Sequence, residues 1–165
     1  LLTLAFQVLA EMPDEPAGAP ARLVGELSRA GGSRGVAGGQ VEDLAHADNA
    51  LDATTIEFIH AHKTADLFAA AARMGAIAAG GAAEQILALG AYGHALGMAF
   101  QIVDDLMDAG IAAPREASCV AVYGEAGARR RAAEFTGSAR NALRGFGDAG
   151  APLDLIATRL LDRSQ

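Results

Sequence analysis

The stretch Phe100-Gln101-Ile102-Val103-Asp104-Asp105-Leu106-Met107-Asp108 decides the reading of this chain. It closes an Ala- and Leu-rich run that begins near Ala82. On a helix, Asp104 and Asp108 lie four apart and share one face. Asp105, three before Asp108, borders that stripe, and Gln101 precedes Asp104 by three. Ile102, Val103, Leu106 and Met107 are the apolar neighbours, so three carboxylates are expected to converge beside a buried face. Like charges at i,i+4 repel and Asp is a poor helix former, so helix stability alone does not favour this arrangement. A hard divalent cation reverses the balance: Mg²⁺ takes carboxylate oxygens and shares them with a substrate phosphate. Spacing alone leaves two readings open, a cation-binding cluster or a solvated acidic helix end.

Outward from that stretch the pattern is helical. Ala and Leu dominate, both favour helix, and the one short strand-like apolar stretch is Val120 to Tyr123. Helices are predicted over Leu1–Met12, Ala21–Arg29, Gln40–His46, Thr55–Ala79, Ala82–Asp108, Arg115–Arg144 with a break at Gly124, and Pro152–Arg163. Pro13 to Pro20 holds three of the five prolines and separates the first two. Gly31 to Gly39 reads as a flexible segment, and Thr54-Thr55-Ile56-Glu57 as a capping box. Gly90, Gly93 and Gly97 sit inside the fifth of these helices, Ala82–Asp108, where each costs about 0.5–1 kcal/mol relative to Ala. Their spacing predicts that another backbone packs close to that face. The expected fold class is all-α.

Composition narrows the function. The chain has 165 residues, 52% of them hydrophobic, and a net charge of −7. That supports a packed core and disfavours binding to a nucleic-acid backbone, which needs a basic footprint. A single cysteine, Cys119, excludes an internal disulfide framework and a cysteine-rich zinc site. No window reads as 18 clean apolar residues. The longest apolar stretch, Leu67 to Ala83, carries Arg73, so no transmembrane segment is expected. The chain starts at Leu1, without Met and without the basic region of a secretory signal. It therefore reads as cut from something longer.

Two further features stand out. Of 13 basic residues only Lys63 is Lys, and it precedes Thr64 within a strongly patterned helix. A compact ammonium suits a phosphate, but on this feature alone the simpler reading is a lone, solvated surface Lys. Gly38-Gly39-Gln40-Val41-Glu42-Asp43 places Gln40 and Asp43 on one helical face after a Gly-rich turn. His60 and His62, two apart, face different ways and form no metal pair. His46 and His94 are isolated, and Arg129-Arg130-Arg131 reads as a solvated face.

Taken in order, Gly39-Gln40-Val41-Glu42-Asp43, Lys63-Thr64 and Phe100-Gln101-Ile102-Val103-Asp104-Asp105-Leu106-Met107-Asp108 resemble the trans-isoprenyl diphosphate synthases, the polyprenyl synthetases that include farnesyl and geranylgeranyl diphosphate synthases. The resemblance implies an all-α isoprenoid-synthase bundle around a central cavity. It implies a prenyltransferase that joins an allylic diphosphate to isopentenyl diphosphate, with Mg²⁺ as cofactor and Mn²⁺ as a substitute. Asp104 is then expected to bind metal directly, and Asp105 and Asp108 to bind metal or its water. Lys63 is expected on the allylic diphosphate, and Thr64 and Gln101 to face the allylic cation with their oxygens. Gln40 and Asp43 support the diphosphate region beside Phe100. Arg115 falls near the family's second loop Lys and joins the diphosphate-binding set. A cytoplasmic homodimer is also implied.

The match covers about the C-terminal half of a family chain, so residues 1–165 are expected to be part of one polyprenyl synthetase domain. No Asp-Asp-x-x-Asp occurs before Gln40, and Ala109 to Pro114 holds no Lys. The rival reading is a non-catalytic subunit that pairs with an active prenyltransferase. A terpene cyclase on the same fold fits less well, because Lys63-Thr64 and Phe100-Gln101 belong to the chain-elongation pattern.

Overall fold

The computed structural model describes residues 1–46, 51–111 and 118–163. Those residues form α1 (Leu2–Ala10), α2 (Ala19–Gly31), α3 (Val36–Ala45), α4 (Ala53–His60), a π-helical turn (Ala61–Ala65), α5 (Asp66–Ala78), α6 (Ala83–Ile111), α7 (Cys119–Ala142), a 3₁₀ segment (Arg144–Gly150) and α8 (Ala151–Asp162). No strand occurs among the described residues, and Val120 to Tyr123 lies within α7.

The long helix α6 is the spine. Tyr92, Ala95, Leu96, Ala99, Ile102, Val103 and Leu106 are all buried along it. Steps of three and four make them one continuous stripe. With Ile56 of α4, Cys119, Ala128, Ala132 and Ala139 of α7, and Ala157 and Leu160 of α8, they form the main core. Full burial of a side chain such as Ile102 contributes about 1.5–3 kcal/mol. A smaller core joins Ala19 and Leu23 of α2 to Ile77 of α5.

The stripe of small residues on α6 does what its spacing predicts. A Cβ on Gly93 would lie 2.5 Å from the Phe68 carbonyl oxygen, and one on Gly97 would lie 2.6 Å from the Ala65 Cα. At Gly90 the close neighbour is the Arg73 side chain instead of backbone. The α5–α6 approach therefore depends on absent side chains.

Four expectations need correcting. The window 86–103 of α6 carries no Asp, Glu, Lys or Arg, and by length and composition this helix could cross a membrane. More than half of its most apolar window is buried inside the fold, as befits a core helix. The flexible segment is shorter than predicted: α3 begins at Val36, so Gly38 and Gly39 are helical. Close packing, described below, is why glycine occurs there. The cap of α4 is Asp52, whose side chain accepts the Thr55 amide at 2.7 Å, not Thr54. A carboxylate accepts that amide and favours the positive helix end more strongly than a hydroxyl does. Finally, Arg131 is not on a solvated face. It pairs with Glu57 and lies over the rings of Tyr123 and Phe135, at 5.7 and 5.3 Å, tying α7 to α4. The break foreseen at Gly124 is present, with φ of +67° inside α7.

Candidate functional site

The site is built on a local defect. Between α4 and α5 the helix widens into the π-helical turn Ala61–Ala65. Such turns insert a residue and re-aim its neighbours. Here His62, Lys63 and Thr64 point to three different partners. His62 Nδ1 is 2.7 Å from Asp66 Oδ2, one turn further on. Lys63 Nζ donates to Asp43 Oδ2 on α3 at 2.7 Å. Thr64 Oγ1 donates to Gln101 Oε1 on α6 at 2.8 Å. Three motifs 20 and 37 residues apart are thus joined at one place.

Gly39 allows the first of these ties. A Cβ on it would sit 2.2 Å from the Lys63 backbone nitrogen and 2.7 Å from the His62 carbonyl carbon. Only a residue without a side chain lets α3 come this near the turn. Asp43, one turn further along α3, then reaches Lys63. Gln40 is half-buried on the same helix. Asp43 is 9% exposed, and its pairing with Lys63 meets the rule that buried charges are matched.

On α6, Phe100 packs against Phe68 of α5 with ring centroids 5.4 Å apart. Gln101 faces Thr64, Asp104 lies one turn later and half-buried, and Asp108 lies one turn later again and exposed. Arg115 lies outside the described residues.

Asp105 behaves differently from the other two aspartates. The Cys119 amide donates to its Oδ2 at 2.7 Å, and His60 Nε2 lies 3.3 Å from the same oxygen. The three carboxylates therefore do not converge. Successive helical residues project about 100° apart, so Asp105 turns to the α7 side while Asp104 leaves α6 in a different direction. Among the described residues, the one close trio of potential metal ligands is His60, Asp105 and Cys119. His60 Nδ1 lies 3.8 Å from Cys119 Sγ while Nε2 faces Asp105. One imidazole presents only one nitrogen to a given ion, so this trio reads as a hydrogen-bonded chain.

Neither the π turn nor the contacts of His60 with Asp105 and Cys119 are legible in the sequence. The π turn leaves no compositional trace in Ala61 to Ala65. His60 did have a signal: it continues the buried stripe Ile56, Ile59, His60, which marks it as an interior histidine.

The Cys119 thiol is pushed up from 9.0 to about 12, chiefly by burial and then by the nearby Asp105 and Glu57 carboxylates. The folded chain keeps this proton above pH 9, where the unfolded chain releases it. Stability from this group is therefore complete below pH 9 and declines as pH rises toward 12. Denaturant titrations at pH 8 and 10.5 should show a steeper alkaline loss for the native protein than for Cys119→Ala. Parallel losses would refute this account.

A polyprenyl synthetase family model matches residues 1–114, which include all three motifs up to Asp108. This chain belongs to the polyprenyl synthetase family. Among its polyprenyl synthetase relatives, geranylgeranyl pyrophosphate synthase 7 of Arabidopsis thaliana is 40% identical over 111 residues, covering 66% of this chain and 32% of that protein. Farnesyl diphosphate synthase of Geobacillus stearothermophilus is 37% identical over 110 residues, covering 66% and 37%. A crystal structure of an FPP/GFPP synthase from Zymomonas mobilis superposes with a TM-score of 0.87 at 31% identity, over 96% of this chain and 57% of that one. A geranyltransferase from Helicobacter pylori, solved with magnesium and isoprenyl diphosphate, gives 0.79 at 26% identity, over 97% and 56%. The chain thus spans about a third of the length of these curated polyprenyl synthetase relatives. The structural likeness continues past residue 114, so α7 and α8 belong to the shared all-α fold.

Proposed function

We propose that this chain carries the allylic-diphosphate side of a trans-prenyltransferase site, in a protein that joins an allylic diphosphate to isopentenyl diphosphate and releases a longer linear diphosphate. One observation carries the reading: Lys63 and Thr64 leave a single π-helical turn toward Asp43 and Gln101, one helical turn from Asp104.

The donor set suits Mg²⁺. Asp104 and Asp108 are hard oxygen donors four residues apart on one face of α6, and Asp104 is half-buried. Mg²⁺ bound by these residues would supply Lewis-acid neutralisation of the leaving diphosphate. Lys63, held by Asp43, places a fixed ammonium for diphosphate oxygens and keeps further N–H donors beyond the one it gives Asp43. Thr64 donates to the Gln101 carbonyl oxygen, which locks both groups. Their remaining lone pairs then form a preorganised negative edge toward an allylic cation. Phe100 and Phe68 put apolar surface beside them and help exclude water.

A product-length assay with radiolabelled isopentenyl diphosphate, geranyl diphosphate and Mg²⁺ tests this on the full-length protein. Elongated product that disappears with chelator is expected. A folded protein giving no product under any metal would overturn the reading and favour the non-catalytic subunit. Self-association of the full-length protein is part of the same proposal, as the family resemblance implies. The same preparation should sediment as a dimer, and a monomer would overturn that part.

A further inference from the structure

Among the groups this function leaves unused, the most unusual is the buried chain linking His60, Asp105 and Cys119. His60 is 3% exposed, yet it is polar and lies in the centre of the α4–α6–α7 contact. Its Nε2 lies 3.3 Å from Asp105 Oδ2, and the Cys119 amide donates to that same oxygen at 2.7 Å. Cys119 is the first residue of α7, so its amide is one of the donors a helix start leaves unpaired. Ser118 caps the Ala121 amide, and Asp105 serves the Cys119 amide from the neighbouring helix. A carboxylate at that end is also favoured by the helix dipole. With the ring proton on Nε2, His60 donates to Asp105, and its Nδ1 accepts the Cys119 S–H at 3.8 Å. The side chain of Asp105 is 12% exposed and is engaged from two directions.

We propose that Asp105 is a clasp instead of a metal ligand, and that His60 is the positioning residue that holds it. The pair fixes the C-terminal part of α6 against the start of α7, and so fixes where Asp104 and Asp108 stand. This deepens the diphosphate reading above and rests on it. It splits three aspartates that look alike in sequence into two kinds. Asp104 and Asp108 face a cation held with diphosphate, and Asp105 anchors the helix that presents them. Groups that orient metal ligands at one remove typically alter metal affinity by about 10–100-fold when removed.

Mn²⁺ binding in the presence of inorganic pyrophosphate, followed by electron paramagnetic resonance on the full-length protein, separates these functions. Asp104→Asn should weaken Mn²⁺ binding by at least about 10-fold, the scale on which metal-site groups act. Asp105→Asn keeps an oxygen for the Cys119 amide and should stay within about 3-fold of the native protein, well below that scale. His60→Ala should weaken binding and speed hydrogen exchange at the Cys119 amide. His60→Gln, whose side-chain N–H can reach Asp105, should restore both. A loss in Asp105→Asn equal to that in Asp104→Asn would overturn the clasp by making Asp105 a ligand. Unchanged Mn²⁺ binding and Cys119 exchange in His60→Ala would overturn it too. Native-like binding in Asp104→Asn is a different failure: it removes the metal–diphosphate reading itself.

Discussion

Asp104→Ala in the full-length protein is expected to lower turnover about 10²–10³-fold, the scale seen when one preorganised group facing a developing charge is deleted. The substitution leaves the fold intact for a specific reason. Asp104 and Asp108 are like charges at i,i+4, which destabilises a helix by a few tenths of a kcal/mol, and Ala is the better helix former. Thermal stability should therefore hold or rise slightly while activity collapses. Opposite signs for stability and turnover mark a residue kept for chemistry at a structural cost. The check is steady-state kinetics across a Mg²⁺ titration, with a melting curve on the same sample. Near-native turnover at saturating Mg²⁺ would remove Asp104 from the site.

Gly39→Ala is expected to damage both stability and the site, although it adds one methyl group far along the chain from the aspartates. Its Cβ would meet the Lys63 nitrogen at 2.2 Å, the His62 carbonyl carbon at 2.7 Å and the Lys63 Cα at 2.8 Å. All three are backbone atoms, so no rotamer change relieves the overlap, and α3 must separate from the π turn. Overpacking of this kind costs about 1–3 kcal/mol, and the all-backbone contacts place Gly39 at the top of that range. That corresponds to a fall of roughly 6–12 °C in melting temperature for a chain of this size. The 2.7 Å bond between Lys63 and Asp43 stretches at the same time, so KM for the allylic diphosphate should rise. Gly75→Ala is the control: an added Cβ there meets nothing within 4 Å, and in the last turn of α5 it should stabilise by about 0.4–1 kcal/mol, chiefly by reducing the freedom of the unfolded chain. If Gly39→Ala melts like the native protein, the close approach of α3 is not needed.

The sequence made much of this legible. The all-α class, the order of the helices, the break at Gly124 and the close packing at Gly93 and Gly97 follow from local rules: apolar residues every three or four positions, and glycine where a side chain cannot fit. Those rules act over one or two turns, so a linear pattern contains them. Lys63, Thr64, Gln101 and Asp104 could be singled out for a related reason. A lone Lys, a hydroxyl beside it and clustered like charges each depart from what helix stability alone selects.

Tertiary structure decided which of these groups work together. No local rule announces that Ala61 to Ala65 widens into a π turn, because the cost of the inserted residue is met by contacts with α3 and α6 far away in the chain. Nor does a pattern separate Asp105 from Asp104. They are adjacent and identical in chemistry, and only the arrival of His60 and the α7 amide on one side of α6 gives them different partners. The sequence by itself determined which elements form and which residue types are available for a phosphate and a hard cation. The fold determined their directions, because a side chain's partners depend on which helix packs beside it.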